Sequence, residues 1–270
     1  MKFQLLLAFL AGLVSWLCFP IHSQVSVLLP RAARILLLTA HPDDECFFFT
    51  PTILALRQDV SQLEVYSLCL STGDAEGLGN KRRAELDRSL DVLGVDRDKR
   101  WVVDHPLLQD NITMTWEASV IADVLAPFVV DNNISVILTF DTQGISSHPN
   151  HYSLPFGASH LTRILSSTTS RTENVPRVLG LLTVPVVPKY FGILSVPLAR
   201  ARIILSRLIP RLLSPSTPVF TSGFREYLIG ARAIREHDSQ MIWFRYLYML
   251  FSRYLWVNEW VEFDPATLSN

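Results

Sequence analysis

Apolar runs of strand length alternate with segments of helical period along most of this chain. Arg34 to Ala40 is a compact apolar run that ends on the polar His41. That is the pattern of a parallel strand buried on both faces, whose carboxyl end presents polar groups. Pro51 sits poorly deep in a helix, so a helix is expected to start close before it and to turn Ile53, Leu54 and Leu56 inward. Leu63 to Ser71 reads as a second strand. Gly73, Gly77 and Gly79 punctuate a loop before an amphipathic helix from about Asn80 to Leu93, with Gly94 as its stop. Trp101 to Val103 reads as a short strand, Glu117 to Val130 as a helix despite Pro127, and Ser135 to Phe140 as another strand. The alternation predicts an α/β fold, a doubly wound, mostly parallel, Rossmann-like sheet over residues 31–260, with ligands outside the carboxyl ends of its strands.

Two segments depart from that pattern. Phe3 to Phe19 is almost wholly apolar and is preceded only by Met1 and Lys2, so residues 1–22 are expected to be a transmembrane anchor, the alternative being a cleaved secretory signal. With the anchor retained, Arg31 and Arg34 outnumber Lys2 and place the rest of the chain in the cytosol. The sequons at Asn111 and Asn133 are then chance matches. Residues 178–213 combine apolar runs with Lys189, Arg200, Arg202, Arg207 and Arg211, and carry no acidic residue. Four prolines rule against one spanning helix, which leaves a basic amphipathic segment on an anionic membrane face, or a buried strand followed by a solvated basic helix. Glu226 to Trp260 is aromatic and is expected to be helical, packed on the domain or resting at the interface.

Composition narrows the partners. With 24 basic and 25 acidic residues, no global field argues for nucleic acid. A mean hydropathy of +0.26 with only 18% charged residues fits contact with lipid. Cys18, Cys46 and Cys69 are scattered and form no disulfide framework.

The chemistry concentrates at two strand ends. Ala40-His41-Pro42-Asp43-Asp44-Glu45 places an imidazole and three carboxylates in five residues directly after a strand. Carboxylates so crowded repel one another, and a divalent cation relieves the repulsion, whereas a solvated, helix-capping loop is the blander reading. His148-Pro149-Asn150-His151 also follows a strand, and favours the metal reading. One histidine can complete a set of two histidines and one carboxylate while the other stabilises charge on a reacting carbonyl.

Ala40 to Glu45 and His148 to His151 resemble the paired motifs of the LmbE-like, or PIG-L, de-N-acetylase family. Leu70 to Gly79, Arg82 with Glu85-Leu86, Ile137 to Asp141 and His237-Asp238-Ser239-Gln240 look like its eukaryotic branch. The resemblance implies removal of acetyl from N-acetylglucosaminylphosphatidylinositol, the second step of glycosylphosphatidylinositol anchor assembly, at the endoplasmic reticulum membrane. It implies one divalent ion, zinc, on His41, Asp44 and His151, with Asp43 as general base and His148 assisting the oxyanion. Arg82, Asp110 and His237 are implied as substrate contacts. The alternative within the class is a secreted or lumenal deacetylase of soluble N-acetylglucosamine conjugates; a catalytically silent glycan-binding protein is the reading of another class, and the intact Asp43 and paired histidines argue against it.

Overall fold

The computed structural model describes Gln4, Gly12, residues 22–23, 32–58, 63–168, 175–209, 218–264 and residue 268. The expected anchor at 1–22 lies outside the described residues except for Gln4, Gly12 and His22. Among the described residues, no helix is long and apolar enough to cross a membrane.

The described strands are β1 (His22–Ser23), β2 (Arg34–Thr39), β3 (Glu64–Cys69), β4 (Arg100–Val102), β5 (Val136–Phe140), β6 (Arg177–Leu181), β7 (Val219–Thr221) and β8 (Val257–Phe263). They form one sheet in the order β1-β7-β8-β6-β5-β2-β3-β4. From β4 to β6 every pairing is parallel, and β8, β7 and β1 extend that core through antiparallel pairs. Ile35, Leu36, Leu37 and Leu38 are all buried, although successive side chains on a strand point to opposite faces. Both faces of β2 are therefore covered, as a doubly wound sheet requires.

The helices that bear on the site are α1 (Asp44–Phe48), α2 (Thr50–Gln58), α3 (Gly79–Leu93), α4 (Ala118–Asp131), α5 (Gly144–Ser147), α6 (Pro149–Thr168), α7 (Val186–Lys189), α8 (Ser195–Leu208), α9 (Phe224–Arg235) and α10 (Trp243–Phe251). The helix expected just before Pro51 is preceded by a separate short one. α1 begins at Asp44, so Asp44 and Glu45 occupy a first helical turn, where unsatisfied N–H groups favour acidic side chains. Gly94 ends α3 with φ 73°, the left-handed cap expected of it.

The C-terminal expectation is corrected. After α9 and α10 the chain enters β8, whose Val257 and Trp260 are fully buried between β6 and β7. Aromatic composition alone does not separate a buried strand from a helix over so short a run. In residues 178–213, β6 is the buried strand of the second alternative. The two helices after it, α7 and α8, expose apolar side chains that the first alternative requires. Residues 210–213 lie outside the described residues.

Candidate active site

The sheet order puts the site at a topological switch. From β2 the chain crosses toward β3 on one side, while β5 lies on the other, so a crevice opens beyond the carboxyl ends of β2 and β5. His41, Asp43 and Asp44 follow β2, and His148 and His151 follow β5. All five line a cleft of about 850 Å³.

The inner end of the cleft is a cluster of facing acceptors. Asp44 Oδ2 accepts the backbone N–H groups of Ala40 (3.0 Å) and His41 (2.9 Å), while its Oδ1 lies 3.1 Å from His151 Nε2. His41 Nδ1 is 3.2 Å from His151 Nε2 and 3.9 Å from Asp44 Oδ2. The outer nitrogens identify the tautomers. His151 Nδ1 faces the Gly144 carbonyl at 3.2 Å, and His41 Nε2 faces Asn150 Oδ1 at 3.0 Å and an Asp110 oxygen at 3.2 Å. These partners only accept, because the Asn150 amide nitrogen is turned to the Met114 carbonyl. In its neutral form each imidazole therefore carries its proton on the outer nitrogen and aims a lone pair inward.

Two lone pairs and a carboxylate facing one another repel unless a cation sits among them. Around a tetrahedral zinc, ligand distances of about 2.0–2.2 Å place donor atoms roughly 3.3 Å apart. The separations of His151 Nε2 from Asp44 Oδ1, 3.1 Å, and from His41 Nδ1, 3.2 Å, fit such an ion. The titration behaviour agrees. Burial opposes a charged His41, yet Asp110 and Asp44 outweigh it and raise its pKa to about 9. Burial works against the Asp44 carboxylate, but His151 and His41 bring its pKa down to about 2. A positive charge is favoured at this spot even without a metal.

His148 differs from the other two. Its nitrogen lies within 4.8 Å of theirs, but its Nδ1 accepts the Asn150 backbone N–H at 3.2 Å, leaving the proton on Nε2. Burial and the proximity of His41 and His151 lower its pKa to about 4. At neutral pH it is thus an uncharged N–H donor at the cleft wall.

Asp43 holds a strained backbone, φ 116°, fixed by a hydrogen bond from its N–H to Glu45 Oε2 at 3.0 Å. Its carboxylate accepts from Gln240 Nε2 at 3.0 Å and pairs with Arg245. Burial raises its pKa, against the guanidinium.

The expected substrate contacts separate. Arg82 lines the cleft, donating to the Gly73 carbonyl and to Glu76, both at 2.6 Å, with its Nε buried and unpartnered among the described residues. Asp110 lines it too, but lies against His41 Nε2. His237 is corrected: it is wholly buried beneath the site, where no substrate reaches it. Its Nε2 meets Glu45 Oε1 at 2.7 Å and its Nδ1 meets Gln240 Oε1 at 3.1 Å. Glu45, Cys46 and His237 also cluster within 4.8 Å, but both Glu45 oxygens are spent on Ser89, His237 and the Asp43 backbone.

A family model described as GlcNAc-PI de-N-acetylase, PIG-L, matches residues 36–161, a span that contains both histidine motifs. The N-acetylglucosaminyl-phosphatidylinositol de-N-acetylase of Bos taurus is 36% identical over 226 residues, covering 84% of this chain and 82% of that relative. The chain belongs to the PIG-L family. A probable N-acetylglucosaminyl-phosphatidylinositol de-N-acetylase of Dictyostelium discoideum is 31% identical over 252 residues, covering 85% of this chain and 93% of its own. The structure of N,N'-diacetylchitobiose deacetylase from Pyrococcus horikoshii superposes with a TM-score of 0.59 at 16% identity, over 88% of this chain and 86% of that one, and shares the fold.

Sequence reasoning missed two cations of this PIG-L site. Arg245 is the one charged residue in the aromatic stretch Trp243–Phe251, and a lone cation in an apolar helix signals a buried partner, here Asp43. Lys189, read only as part of a basic segment, lines the cleft and donates to the Ile145 carbonyl at 3.1 Å. Opposite the polar end, Tyr190, Ile242, Phe244, Leu247 and Phe251 make the cleft's remaining wall apolar.

Proposed function

We propose that this PIG-L enzyme hydrolyses the acetamide of N-acetylglucosaminylphosphatidylinositol, giving glucosaminylphosphatidylinositol and acetate, in the second step of glycosylphosphatidylinositol anchor assembly. The observation that carries the reading is the inward-facing acceptor set of His41, Asp44 and His151 beside an unligated carboxylate, Asp43. These three residues would hold one divalent ion, zinc by its preference for nitrogen and carboxylate donors. Bound there, the ion supplies a Lewis acid for the acetamide carbonyl and brings the pKa of water toward about 7.

The chain's own groups do the rest. Asp43 takes a proton from water as the water attacks the acetamide carbon. His148, neutral and donating through Nε2, hydrogen-bonds the carbonyl oxygen as it gains charge. Asp43 and His148 hold the protons available to the departing amine. Arg82 and Lys189 are cations at the cleft wall suited to the phosphate and hydroxyls of the substrate. Residues 31–260 form the catalytic domain, and residues 1–22 anchor it to the cytosolic face of the endoplasmic reticulum membrane. Lys2 against Arg31 and Arg34 supports that orientation.

The test is acetate release from N-acetylglucosaminylphosphatidylinositol by membranes carrying the protein, before and after chelation. Release that stops on chelation and returns with zinc supports the reading, and an inert wild-type protein with bound metal overturns it.

Two further outcomes follow from the contacts around the cluster. Asp110, which accepts from His41 Nε2, keeps the Nδ1 lone pair inward, so Asp110→Ala is expected to weaken metal affinity about 10–100-fold in competition with a chelator. Gln240→Ala removes an N–H donor from Asp43. It is expected to lower kcat about 10–100-fold, the rate equivalent of ~1.5–3 kcal/mol, with metal content unchanged. His237, which holds Gln240 through Nδ1, acts on Asp43 in the same direction.

A further inference from the structure

The apolar wall of the cleft does not stop at its mouth. Trp243 and Leu250 on α10 are 75% and 60% exposed, and Leu194, at the end of the turn Gly192–Leu194, is 63% exposed. The two elements are in contact. Gly192 has φ +50°, and a Cβ there would meet the Leu250 carbonyl oxygen at 2.9 Å, so glycine lets the turn nest against the end of α10. The same turn also contacts α8, whose Leu198 is exposed, as are Val186 and Val187 on α7. Single exposed apolar residues are ordinary, but a contiguous patch bordering a binding cleft marks an interaction surface.

We infer that α10 and the segment from α7 to α8 form a bilayer-docking face around the mouth of the cleft, distinct from any N-terminal anchor. This inference rests on the reading of a lipid-linked substrate. The lack of acidic side chains together with the aromatic surface selects the occupant. No aspartate or glutamate occurs between positions 174 and 225 or between 239 and 258, while Lys189, Arg202 and Arg245 fall within these stretches. Arg202 and Arg245 are paired with Glu259 and Asp43, so the face is apolar and brings no acidic side chain of its own against a membrane containing anionic phosphatidylinositol lipids. α10 is also rich in tryptophan, tyrosine and phenylalanine, the side chains that settle at headgroup level. A protein partner on this face would close the cleft, whose mouth residues Leu247 and Phe251 belong to the same helix. A bilayer there delivers the glycolipid headgroup to the cluster while its acyl chains remain among lipids.

The test uses the full chain in vesicles containing phosphatidylinositol, with Trp16→Phe to remove the tryptophan of the N-terminal apolar segment. Trp243 fluorescence is expected to be quenched by brominated lipid, and the quenched component to vanish in Trp243→Phe. The combined variant Leu194→Glu, Trp243→Glu, Leu250→Glu changes exposed positions outside the cleft lining. Its deacetylation of vesicle-borne glycolipid is expected to fall at least about tenfold. Its turnover of the acyl-free headgroup at saturation is expected to stay unchanged, which also shows that the variant folds. Equal activity of variant and parent on vesicles overturns the inference. So does a Trp243 open to an aqueous quencher, or one shielded from both quenchers by a protein segment or second copy. If the wild type processes neither substrate, the functional reading fails, while the quenching result still decides the docking face.

Discussion

Asp43→Asn is expected to slow acetate release about 10²–10⁴-fold while the protein retains its full complement of metal. The two halves of that outcome come from where Asp43 stands. Its carboxylate is absent from the triangle of His41 Nδ1, Asp44 and His151 Nε2, and is held instead by Gln240 and Arg245. Asparagine keeps the side-chain shape and an oxygen for those donors, but cannot accept a proton from water. Metal content by elemental analysis and kcat on the glycolipid are the two readouts. Loss of metal in the variant would make Asp43 a ligand. A kcat within a few-fold of the parent would move the base elsewhere. KM should shift little, since nothing in the contacts of Asp43 places it on the substrate's binding groups.

The sheet and the position of the site were legible because they depend on local pattern. A buried run such as Ile35 to Leu38 has no other economical environment than a covered parallel strand, and the polar residues after it must sit at the strand's carboxyl end. The pairing of the two histidine motifs followed from topology. What was illegible depends on side-chain direction. Asp110 sits in an irregular loop, and no spacing rule says that it will face His41 Nε2 rather than solvent. His237 carries a family-like motif, yet whether an imidazole lies in a cleft or one layer beneath it is decided by packing between α3, α9 and the loop after α9. Its buried partner, Glu45, belongs to the same acidic run whose other members line the cleft, so the run splits between two roles. The strand β8 was hidden because its residues suit a helix or a strand equally, and only the vacancy between β6 and β7 selects the extended form.

Removing the metal is expected to abolish turnover, by at least about 10³-fold or ~4 kcal/mol in barrier, with zinc restoring it in the wild type but not in His151→Ala. The apo cluster adds a pH signature. His41 carries its outer proton on Nε2 toward Asn150 and Asp110, so the proton responsible for its pKa of about 9 occupies Nδ1, the atom that faces the metal position. Metal must displace that proton. Below about pH 9 the apo protein therefore binds metal in competition with one proton at this nitrogen, and affinity climbs roughly tenfold per pH unit until the pKa is passed. Above it the apo site is already deprotonated and this dependence flattens. The measurement is a metal titration against a pH-insensitive competitor across neutral to alkaline pH, with the released protons counted in weak buffer. Binding that is independent of pH, with no proton released, would mean that Nδ1 of His41 is not where the ion is held. In Asp110→Ala, with one of the two carboxylates that raise His41 gone, the break in the profile is expected to move to lower pH. That shift separates the part Asp110 plays in stabilising a cation from its part in fixing the imidazole's orientation, which affects affinity at every pH.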